Sequence, residues 1–485
     1  MRFDDLREFI DFLDSKGELK RISAQVQSEL EITEITDRCV KSSGPALYFE
    51  NVAGFPEPVV TNLFGTHQRM AWALGVDSAD ELTSQVRGLL GIVQDPPKSV
   101  FDKLKTLKEI VGVARTQPKI VKSAPCQEIV YEGKEADLTK LPHLKCWPMD
   151  GGRYITLPIV ISKDPVSGRR NVGTYRMQIY DEKTAGMHWQ THKVGAAHYR
   201  NSENLSNERL EVAIVIGCDP TTMWTGALPL PPDMDELAVS GVIRNSAVKL
   251  VKCKTVDIEV PVSGEIVLEG YVVPGELKTE GPFGDHTGYY SLEDEYPVFH
   301  LTAITTRKNP IYSATVVGKP PSEDYFMGKA IERLMLPAMQ LTLPEIVDIN
   351  MPAEGVFHNL IIVSMRKEYP GHTRKVMNAI WELGLLMLVK TIIVVDEFVD
   401  VHDLSEVAWR VTSNIDPTND VVFSEGPVDD LDHSSSKPKF GSKMGIDATN
   451  KTKLDGRSRE WPPDVIMDSH IVDLVNNRWA DYGFM

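Results

Sequence analysis

A succession of strand-length runs between residues 154 and 306 constrains the fold of this 485-residue chain more than any other feature. Each run is rich in β-branched or aromatic residues, and several are joined by short turn segments such as "KDPVSG" and "DEKT". We therefore predict a sheet closed into a barrel, interrupted by one helix near residues 234–243. The runs are "YITLPIVIS" (154–162), "NVGTYRMQIY" (171–180), "AGMHWQT" (185–191), "LEVAIVIG" (210–217), "SGEIVLEGYV" (263–272) and "VFHLTAITT" (298–306).

The pattern changes at about residue 325, where helical and strand-length segments begin to alternate. Such alternation predicts an α/β domain with a largely parallel sheet. Its segments are a helix at 325–342, a strand at 359–365, a helix at 374–383, a strand at 390–398, a helix at 404–413 and a strand at 420–425. A last helix, 468–482, has one apolar face, which we expect to pack on its own domain or on another subunit.

The predicted fold class is therefore α/β and α+β with several domains. Residues 1–113 mix helices with short strands, and 114–127 form a predicted linker because they carry prolines and no amphipathic period. The predicted units are an N-terminal α/β domain (1–113), the linker (114–127), a central β domain (128–324), a C-terminal α/β domain (325–467) and a terminal helix (468–485).

Charge and cysteine content exclude several classes of protein. Fifty-two basic and sixty-nine acidic residues give a net charge of −17, which repels nucleic acid backbones and anionic bilayers. The five cysteines are scattered and form no C-x-x-C pair, which favours a reducing compartment. The start, "MRFDDLREFIDFL", lacks the apolar core of a signal peptide, and Lys390 interrupts the most apolar stretch. We expect a cytoplasmic protein with no membrane-spanning segment.

Arg176, in "NVGTYR", is the first candidate functional residue. Side chains alternate between the two faces of a strand, so Arg176 need not face solvent. A buried arginine needs carboxylates around it, and its planar fork suits a paired acid or a substrate carboxylate. On pattern alone, an exposed arginine at a strand edge is the commoner outcome.

Possible metal ligands are scattered. His192 ends the next predicted strand, but His188 and His198 are close to it in sequence and spacing does not decide among them. Glu236 also fits a helix-capping box that begins at Asp233. An Asn, a His and a Glu can coordinate a hard divalent ion, yet this pattern leaves both interpretations open.

The stretch "EGPFGDHTGYY" carries two acids, Glu280 and Asp285, around glycines and a proline. Gly281 and Gly284 would let the backbone pass close to a ligand, and Pro282 would stiffen the loop. The same residues also make an ordinary turn, so the acids are either acid/base groups or solvated turn residues.

Several motifs together resemble a known family. The stretches "NVGTYR" and "EGPFGDHTGYY", with "LEITEITDR", "GPALYFENV", "NLFGT", "GSKMGIDATNK" and "REW", are similar to the UbiD family of prenylated-flavin decarboxylases. Within that family they most resemble the branch that acts on 3-polyprenyl-4-hydroxybenzoate. The similarity runs from about residue 1 to residue 462 with the motifs in the family's order, and the final helix matches least.

The resemblance implies a central split β-barrel domain that binds prenylated FMN with Mn2+ and often K+. This domain would lie between an N-terminal α/β domain and a C-terminal α/β domain that mediates oligomerisation. The implied metal ligands, which would join the flavin phosphate to the protein through the ion, are Asn171, His192 and Glu236. The implied cofactor-contacting residues are Thr174, Tyr175, Arg176, Met187, His188, Trp189, Lys193 and Lys390.

The resemblance also implies a catalytic network of Arg176, Glu280 and Asp285. Asp285 stands where the cinnamate-type branch has Glu, which favours a hydroxybenzoate substrate. The expected reaction is the non-oxidative decarboxylation of 3-polyprenyl-4-hydroxybenzoate to 2-polyprenylphenol in ubiquinone biosynthesis. Arg176 would hold the substrate carboxylate and keep Glu280 ionised, while Asp285 would protonate the ring carbon. We expect an apolar pocket and neighbouring Glu280 to raise the pKa of Asp285.

The alternatives are a relative acting on a small phenolic or heteroaromatic acid, a flavin-binding or flavin-reducing module, and a non-catalytic assembly protein. The expected partners are the aromatic acid, a flavin prenyltransferase that supplies the cofactor, and further copies of the chain in a dimer or hexamer. A prenyl tail needs delivery from the membrane, so we expect peripheral contact with the inner membrane through the last helix or a partner protein.

Overall fold

The computed structural model describes residues 2–78, 80–84, 87, 115–190, 193–205, 209–231 and 234–484, apart from the side chain of residue 454. The N-terminal unit contains α1 (Leu6–Ser15), β1 (Leu19–Ile22), α2 (Glu31–Lys41), β2 (Ala46–Phe49), β3 (Val59–Thr61) and α3 (His67–Ala73). Strands β1 and β2 run parallel and β3 is antiparallel to β2. Arg7 of α1 joins this unit to the next through two bonds of 2.9 and 2.8 Å to the buried Glu265.

The central unit consists mainly of strands. They are β4 (Lys119–Val121), β5 (Ile129–Glu132), β6 (Tyr154–Ile155), β7 (Pro158–Lys163), β8 (Arg170–Gly173), β9 (Met177–Ile179), β10 (Thr184–Met187), β11 (Leu210–Ile216), β12 (Lys249–Lys252), β13 (Glu259–Pro261), β14 (Ile266–Glu280), β15 (Phe283–Gly284), β16 (Tyr290–Ser291), β17 (Asp294–Thr306) and β18 (Tyr312–Ser313). The helices of this unit are α4 (Val194–Asn204), α5 (Pro220–Thr225) and α6 (Glu236–Ile243).

The main sheet of this unit is antiparallel and follows the order β6-β9-β10-β17-β14-β11-β7-β8, with β5 on β17. Within the described residues no pairing joins β6 to β8, so the sheet is open and the predicted closed barrel is not formed. One reason is visible at Thr174, whose amide donates to the carbonyl of Gly226 at 2.8 Å instead of to a neighbouring strand.

The stretch "NVGTYRMQIY" is not one strand, as the sequence predicts, but two. Strand β8 ends at Gly173 and β9 begins at Met177, and these strands lie near opposite ends of the sheet order. Four peptide links separate Gly173 from Met177, so their Cα atoms lie within about 15 Å of each other. The sheet must therefore curl until its two ends face each other across residues 174–176, which we call the seam.

Two short strands cross the predicted domain boundaries. Strand β4, inside the predicted linker 114–127, pairs in parallel with β12. Strand β18, inside the predicted central domain, pairs in parallel with β3 of the N-terminal sheet. The boundary predicted after residue 113 lies outside the described residues.

The C-terminal unit alternates helices and strands, as predicted. Its elements are α7 (Glu323–Thr342), β19 (Ile346–Asn350), β20 (Leu360–Met365), α8 (His372–Glu382), β21 (Thr391–Asp396), α9 (Leu404–Asn414), α10 (Pro417–Asp420), β22 (Val421–Pro427) and β23 (Phe440–Asp447). The sheet order is β19-β20-β21-β23-β22. Strands β20, β21 and β23 are parallel, whereas the edge strands β19 and β22 pair antiparallel with their neighbours.

The terminal helix is shorter than predicted. Helix α11 spans Ser469–Asn477 and is followed by a 3₁₀ turn, Trp479–Tyr482. Its apolar side chains are half-exposed, so in this chain they do not form the predicted packing against their own domain. Within the described parts of the chain, no helix combines the length and apolar character needed to cross a bilayer.

Candidate active site

The seam carries Arg176, whose side chain is 9% exposed and makes contacts on three sides. Its Nε donates to Glu280 Oε1 at 2.9 Å, its Nη1 donates to Asp285 Oδ2, and its Nη2 donates to Ser291 Oγ at 3.1 Å. The guanidinium also lies 4.6 Å from the ring centre of Phe283. Burial alone would lower the pKa of Arg176, but the two carboxylates outweigh it and raise that pKa. The guanidinium is therefore permanently charged.

Glu280 ends the long strand β14, and its side chain is fully buried. Besides Arg176, it accepts a hydrogen bond of 3.0 Å from Nδ1 of His188, which follows β10. Burial would raise the pKa of Glu280, yet His188 and Arg176 together lower it to about 2. Glu280 is thus an ionised carboxylate held by two donors from across the sheet.

The loop that follows β14 turns back to place Asp285 beside the same arginine. Gly281 has φ +102°, a conformation that residues with a Cβ rarely adopt, and a side chain at Gly284 would overlap the indole of Trp147. The amide of Gly284 donates to Asp150 at 2.8 Å, which fixes the hairpin of β15 and β16.

The structure reverses the expected pKa shift of Asp285. Its burial would raise the pKa, but the Arg176 guanidinium and His286 hold it well below the usual range. The expectation of a raised pKa assumed that Glu280 is the dominant neighbour, whereas Arg176 lies between the two acids and bonds to both of them. Without substrate, Asp285 is therefore ionised and has no proton to give.

The predicted cofactor-contacting residues of the seam and of β10 carry unpaired buried polar atoms. Among the described residues, no hydrogen-bond partner lies within reach of Thr174 Oγ1, His188 Nε2 or Trp189 Nε1. The ring of Trp189 packs edge-on to Tyr175, and Met187 is fully buried in the adjoining core. Leaving such atoms unpaired typically costs about 1–3 kcal/mol each, so a polar ligand at this place fits the residues present.

The two predicted cofactor-contacting lysines lie apart from that row. Lys193 immediately precedes α4; burial lowers its pKa, which Asp429 and Asp430 partly offset. Lys390 precedes β21 and donates to Asp432 at 2.8 Å, so its amine is held by a loop of the C-terminal unit.

Two of the three predicted metal ligands lie on elements that contact each other. Asn171 is on β8 and Glu236 begins α6, and a Glu236 oxygen accepts from the amide of Val172 at 3.1 Å. Burial raises the pKa of Glu236 to about 7, so a cation here would relieve its desolvation. His192 lies outside the described residues. The residue that caps α6 is Asp235, whose side chain accepts from the Leu237 amide, and the predicted start of the capping box, Asp233, lies outside the described residues.

Carboxylate, amide and imidazole donors form a set that suits a divalent ion such as Mn2+. Among the described residues, no cluster of three His, Cys, Asp or Glu side chains is close enough to hold a metal. The pair of Asn171 and Glu236 fits a metal site that a third ligand completes.

Sequence reasoning assigned no role to two histidines that complete the site. His286 Nδ1 lies 2.7 Å from Asp285 Oδ1, and His286 Nε2 lies 2.8 Å from Nε2 of His358. His286 stands inside "EGPFGDHTGYY", where its position next to Asp285 was a usable signal. His358 belongs to the C-terminal unit, and no local pattern points to it.

Comparison with known proteins agrees with this geometry. Three family models, each described as a part of 3-octaprenyl-4-hydroxybenzoate carboxy-lyase, match consecutive stretches: the N-terminal domain at residues 10–87, the Rift-related domain at 119–320 and the C-terminal domain at 325–448. An uncharacterised protein of Archaeoglobus fulgidus is 50% identical over 482 residues, which cover 99% of each chain. The chain belongs to the UbiD family.

Two solved structures of the same class are similar over nearly the whole chain. The vanillic acid decarboxylase of Sedimentibacter hydroxybenzoicus, in its closed form, has a TM-score of 0.85 and 29% identity over 98% of this chain and 99% of its own. An evolved dimeric form of the UbiD-class enzyme HmfF from Pelotomaculum thermopropionicum, in complex with prFMN, has a TM-score of 0.77 and 28% identity over 95% and 97%. Family membership makes this protein a carboxy-lyase.

Proposed function

We propose that this enzyme decarboxylates 3-polyprenyl-4-hydroxybenzoate to 2-polyprenylphenol in ubiquinone biosynthesis, with prenylated FMN as its cofactor. The observation that carries the proposal is a nearly buried arginine between two buried carboxylates, together with unpaired buried polar atoms on Thr174, His188 and Trp189. The description of the family models supports the substrate, and the prFMN complex of HmfF supports the cofactor.

Decarboxylation of an aromatic ring leaves negative charge on carbon, which no amino-acid side chain accepts well. Prenylated FMN, when bound, supplies the electron sink. The chain's own residues bind the substrate and deliver the proton. The fork of Arg176 binds the substrate carboxylate, Glu280 fixes that fork from its other edge, and the Asp285 carboxyl delivers a proton to the ring carbon. Burial of all three side chains excludes water from the reacting atoms.

The cofactor would be held by residues whose buried polar atoms have no partner among the described residues. Thr174 Oγ1, His188 Nε2 and Trp189 Nε1 are the free polar atoms available to it. Asn171, Glu236 and His192 would hold Mn2+, with K+ as a further ion, between the protein and the cofactor phosphate. We also infer a split barrel, since the seam brings the two ends of the open sheet together.

A small phenolic acid is the second candidate substrate. The structural similarity to a vanillic acid decarboxylase favours it, because that enzyme has the same fold over 98% of this chain. The difference between the two candidates lies in the room available for a prenyl tail. We keep the polyprenylated acid as the proposal because all three family models are described as parts of 3-octaprenyl-4-hydroxybenzoate carboxy-lyase.

The test is to co-express the chain with a flavin prenyltransferase and to identify the bound molecule by absorbance and mass. CO2 release is then measured with 4-hydroxybenzoates that carry or lack a 3-prenyl tail, with vanillate and with a heteroaromatic acid. Preference for the tailed acid supports the proposal, and preference for an untailed acid supports the second candidate. NAD(P)H oxidation without CO2 release from any acid would refute both.

We further propose that the protein acts in the cytoplasm as a homo-oligomer, a dimer or a hexamer. The half-exposed apolar side chains of α11 support a subunit contact, as does the dimeric form of HmfF. Contact with the inner membrane would be peripheral.

A further inference from the structure

His286 links the acid of the active site to the C-terminal unit. Its backbone amide and its Nδ1 both lie 2.7 Å from Asp285 Oδ1, and its Nε2 lies 2.8 Å from His358 Nε2. His358 precedes β20, so the contact crosses from the central unit to the C-terminal one. The imidazole of His286 is thereby fixed at both nitrogens.

The charges around this pair place the proton on His286. Two Nε2 atoms at hydrogen-bonding distance share one proton, so one ring donates and the other accepts. Burial would lower the pKa of His286, but Asp285 outweighs it and raises that pKa. Burial, with the charge of His286, lowers the pKa of His358 to about 4. Since Nδ1 of His286 faces a carboxylate and its Nε2 donates to His358, both nitrogens of His286 carry a proton, and His358 accepts through its Nε2.

Two further carboxylates near His286 and His358 also raise the pKa of His286. Asp324, in the first turn of α7, and Asp429, in the C-terminal unit, both raise its pKa. Burial and Asp285 in turn raise the pKa of Asp324 itself to about 7. Lys193 faces His358 and disfavours a charge there.

The reaction needs a proton that Asp285 does not hold. Each turnover converts one carboxylate and one proton into a ring C–H and CO2, whereas Asp285 is ionised against Arg176. A substrate carboxylate that engages Arg176 competes with Asp285 for the guanidinium. Asp285 would then be a buried anion facing the His286 cation, and burial favours the neutral pair that one proton transfer produces.

We propose that His286 supplies the proton of the reaction: it transfers its Nδ1 proton to Asp285 when a substrate carboxylate occupies Arg176, and His358 orients the imidazole for that transfer. The N–H bond of His286 breaks as the O–H bond of Asp285 forms. That O–H bond then breaks as the ring C–H bond forms. His286, whose side chain is 20% exposed, regains a proton from water. The inference rests on the proposed decarboxylase function.

The first test uses the reconstituted enzyme and His286→Ala. We expect kcat to fall by about 10²–10⁴ with KM nearly unchanged, and exchange of solvent deuterium into the product ring to slow by the same factor. Added imidazole should restore both rates, and pyrazole, which has similar shape but is far less basic, should not. The control is His300→Gln, a partly exposed histidine bonded to Glu276 on the same unit, which should behave as wild type.

The second test separates orientation from proton supply. His358→Gln keeps an acceptor for the Nε2 proton of His286 and should retain most of kcat, whereas His358→Leu, of similar size, should lose about tenfold or more. Equal activity of the two variants would show that His358 does not orient the imidazole of His286.

A third measurement is independent of turnover. Nitrogen-15 NMR of the chain as isolated should show His286 doubly protonated at neutral pH, with a raised pKa that falls in Asp285→Asn. A neutral His286, a kcat within about threefold of wild type in His286→Ala, or equal rescue by imidazole and pyrazole would overturn the inference while leaving the decarboxylase proposal standing. Absence of CO2 release by the wild type would instead overturn the proposed function, and the inference with it.

Discussion

Replacement of Glu280 by Gln tests whether the buried ion pair is as tight as its geometry indicates. The substitution keeps the shape of the side chain and removes its charge from a site that is fully buried. The lowering of the Glu280 pKa from 4.5 to about 2 corresponds to about 3 kcal/mol of stability. Loss of one partner from a buried charge network falls in the same range, about 3–5 kcal/mol.

The pH dependence of this loss has a definite sign. A carboxyl group whose pKa is lowered by folding stabilises the protein above its unfolded pKa, and this stability is lost as the pH falls toward the folded value. Glu280 therefore contributes fully at neutral pH and progressively less between about pH 4.5 and 2. Glu280→Gln should lower the free energy of unfolding by about 3 kcal/mol at pH 7, and this loss should be about 1 kcal/mol smaller at pH 4.

The assay is urea unfolding of wild type and variant, followed by tryptophan fluorescence at both pH values. Glu276→Gln is the matched control because Glu276 lies on the same strand, its side chain is 42% exposed, and it bonds to His300 at 2.7 Å. An exposed pair of this kind contributes at most about 1 kcal/mol. The proposed pairing with Arg176 is wrong if Glu280→Gln lowers the free energy of unfolding at pH 7 by no more than the control does. It is also wrong if the difference in unfolding free energy between wild type and Glu280→Gln grows as the pH falls.

Three further predictions concern the acid, the metal and the terminal helix. Asp285→Asn should lower kcat by about 10²–10⁴ and abolish deuterium exchange into the product ring, so wild-type turnover with normal exchange would disprove its role as the acid. Glu236→Ala should reduce the Mn2+ retained after desalting, as measured by elemental analysis, and unchanged metal content would exclude Glu236 as a ligand. Deletion of residues 468–485 should reduce the assembly mass in light scattering. Equal recovery of both forms in the soluble fraction with neutral and anionic liposomes would count against direct membrane contact.

The sequence predicted those elements whose patterns are local. The C-terminal helices and strands appear where their periodicity placed them, because each buries one face or both in a single unit. Two strands of this unit were missed: β19, whose five residues follow a long helix without a distinct signal, and β23, whose glycines and polar residues do not read as a strand. The closed barrel was wrong because strand-length runs do not reveal which strands lie at the ends of a sheet.

In the active site, too, residues in local motifs could be predicted and contacts between distant segments could not. Family motifs identified Arg176, Glu280 and Asp285, and the structure brings their side chains together. The direction in which the Asp285 pKa shifts could not be predicted, because it depends on which charged neighbour contacts the carboxylate. His358 could not be predicted either, since it lies 72 residues beyond His286 and meets it only through the packing of two units.

The sum of charges at the site leads to a last prediction. Arg176 and His286 are cationic, Glu280 and Asp285 are anionic, and His188 stays neutral because burial and Arg176 lower its pKa. The cluster is therefore neutral before an acid binds, and a substrate carboxylate adds one uncompensated buried charge. Burial opposes such a charge strongly, so binding should be accompanied by uptake of about one proton from solvent.

Calorimetric titration with an aromatic carboxylate that is not turned over measures this uptake. The binding enthalpy at neutral pH is compared in phosphate and in Tris, whose heats of ionisation differ, and the slope gives the number of protons taken up. We expect a value near one for wild type. A wild-type value near zero would mean that the site carries a net positive charge before the acid binds, with Asp285 and His286 both protonated, and the assignment of Asp285 as ionised would then be wrong.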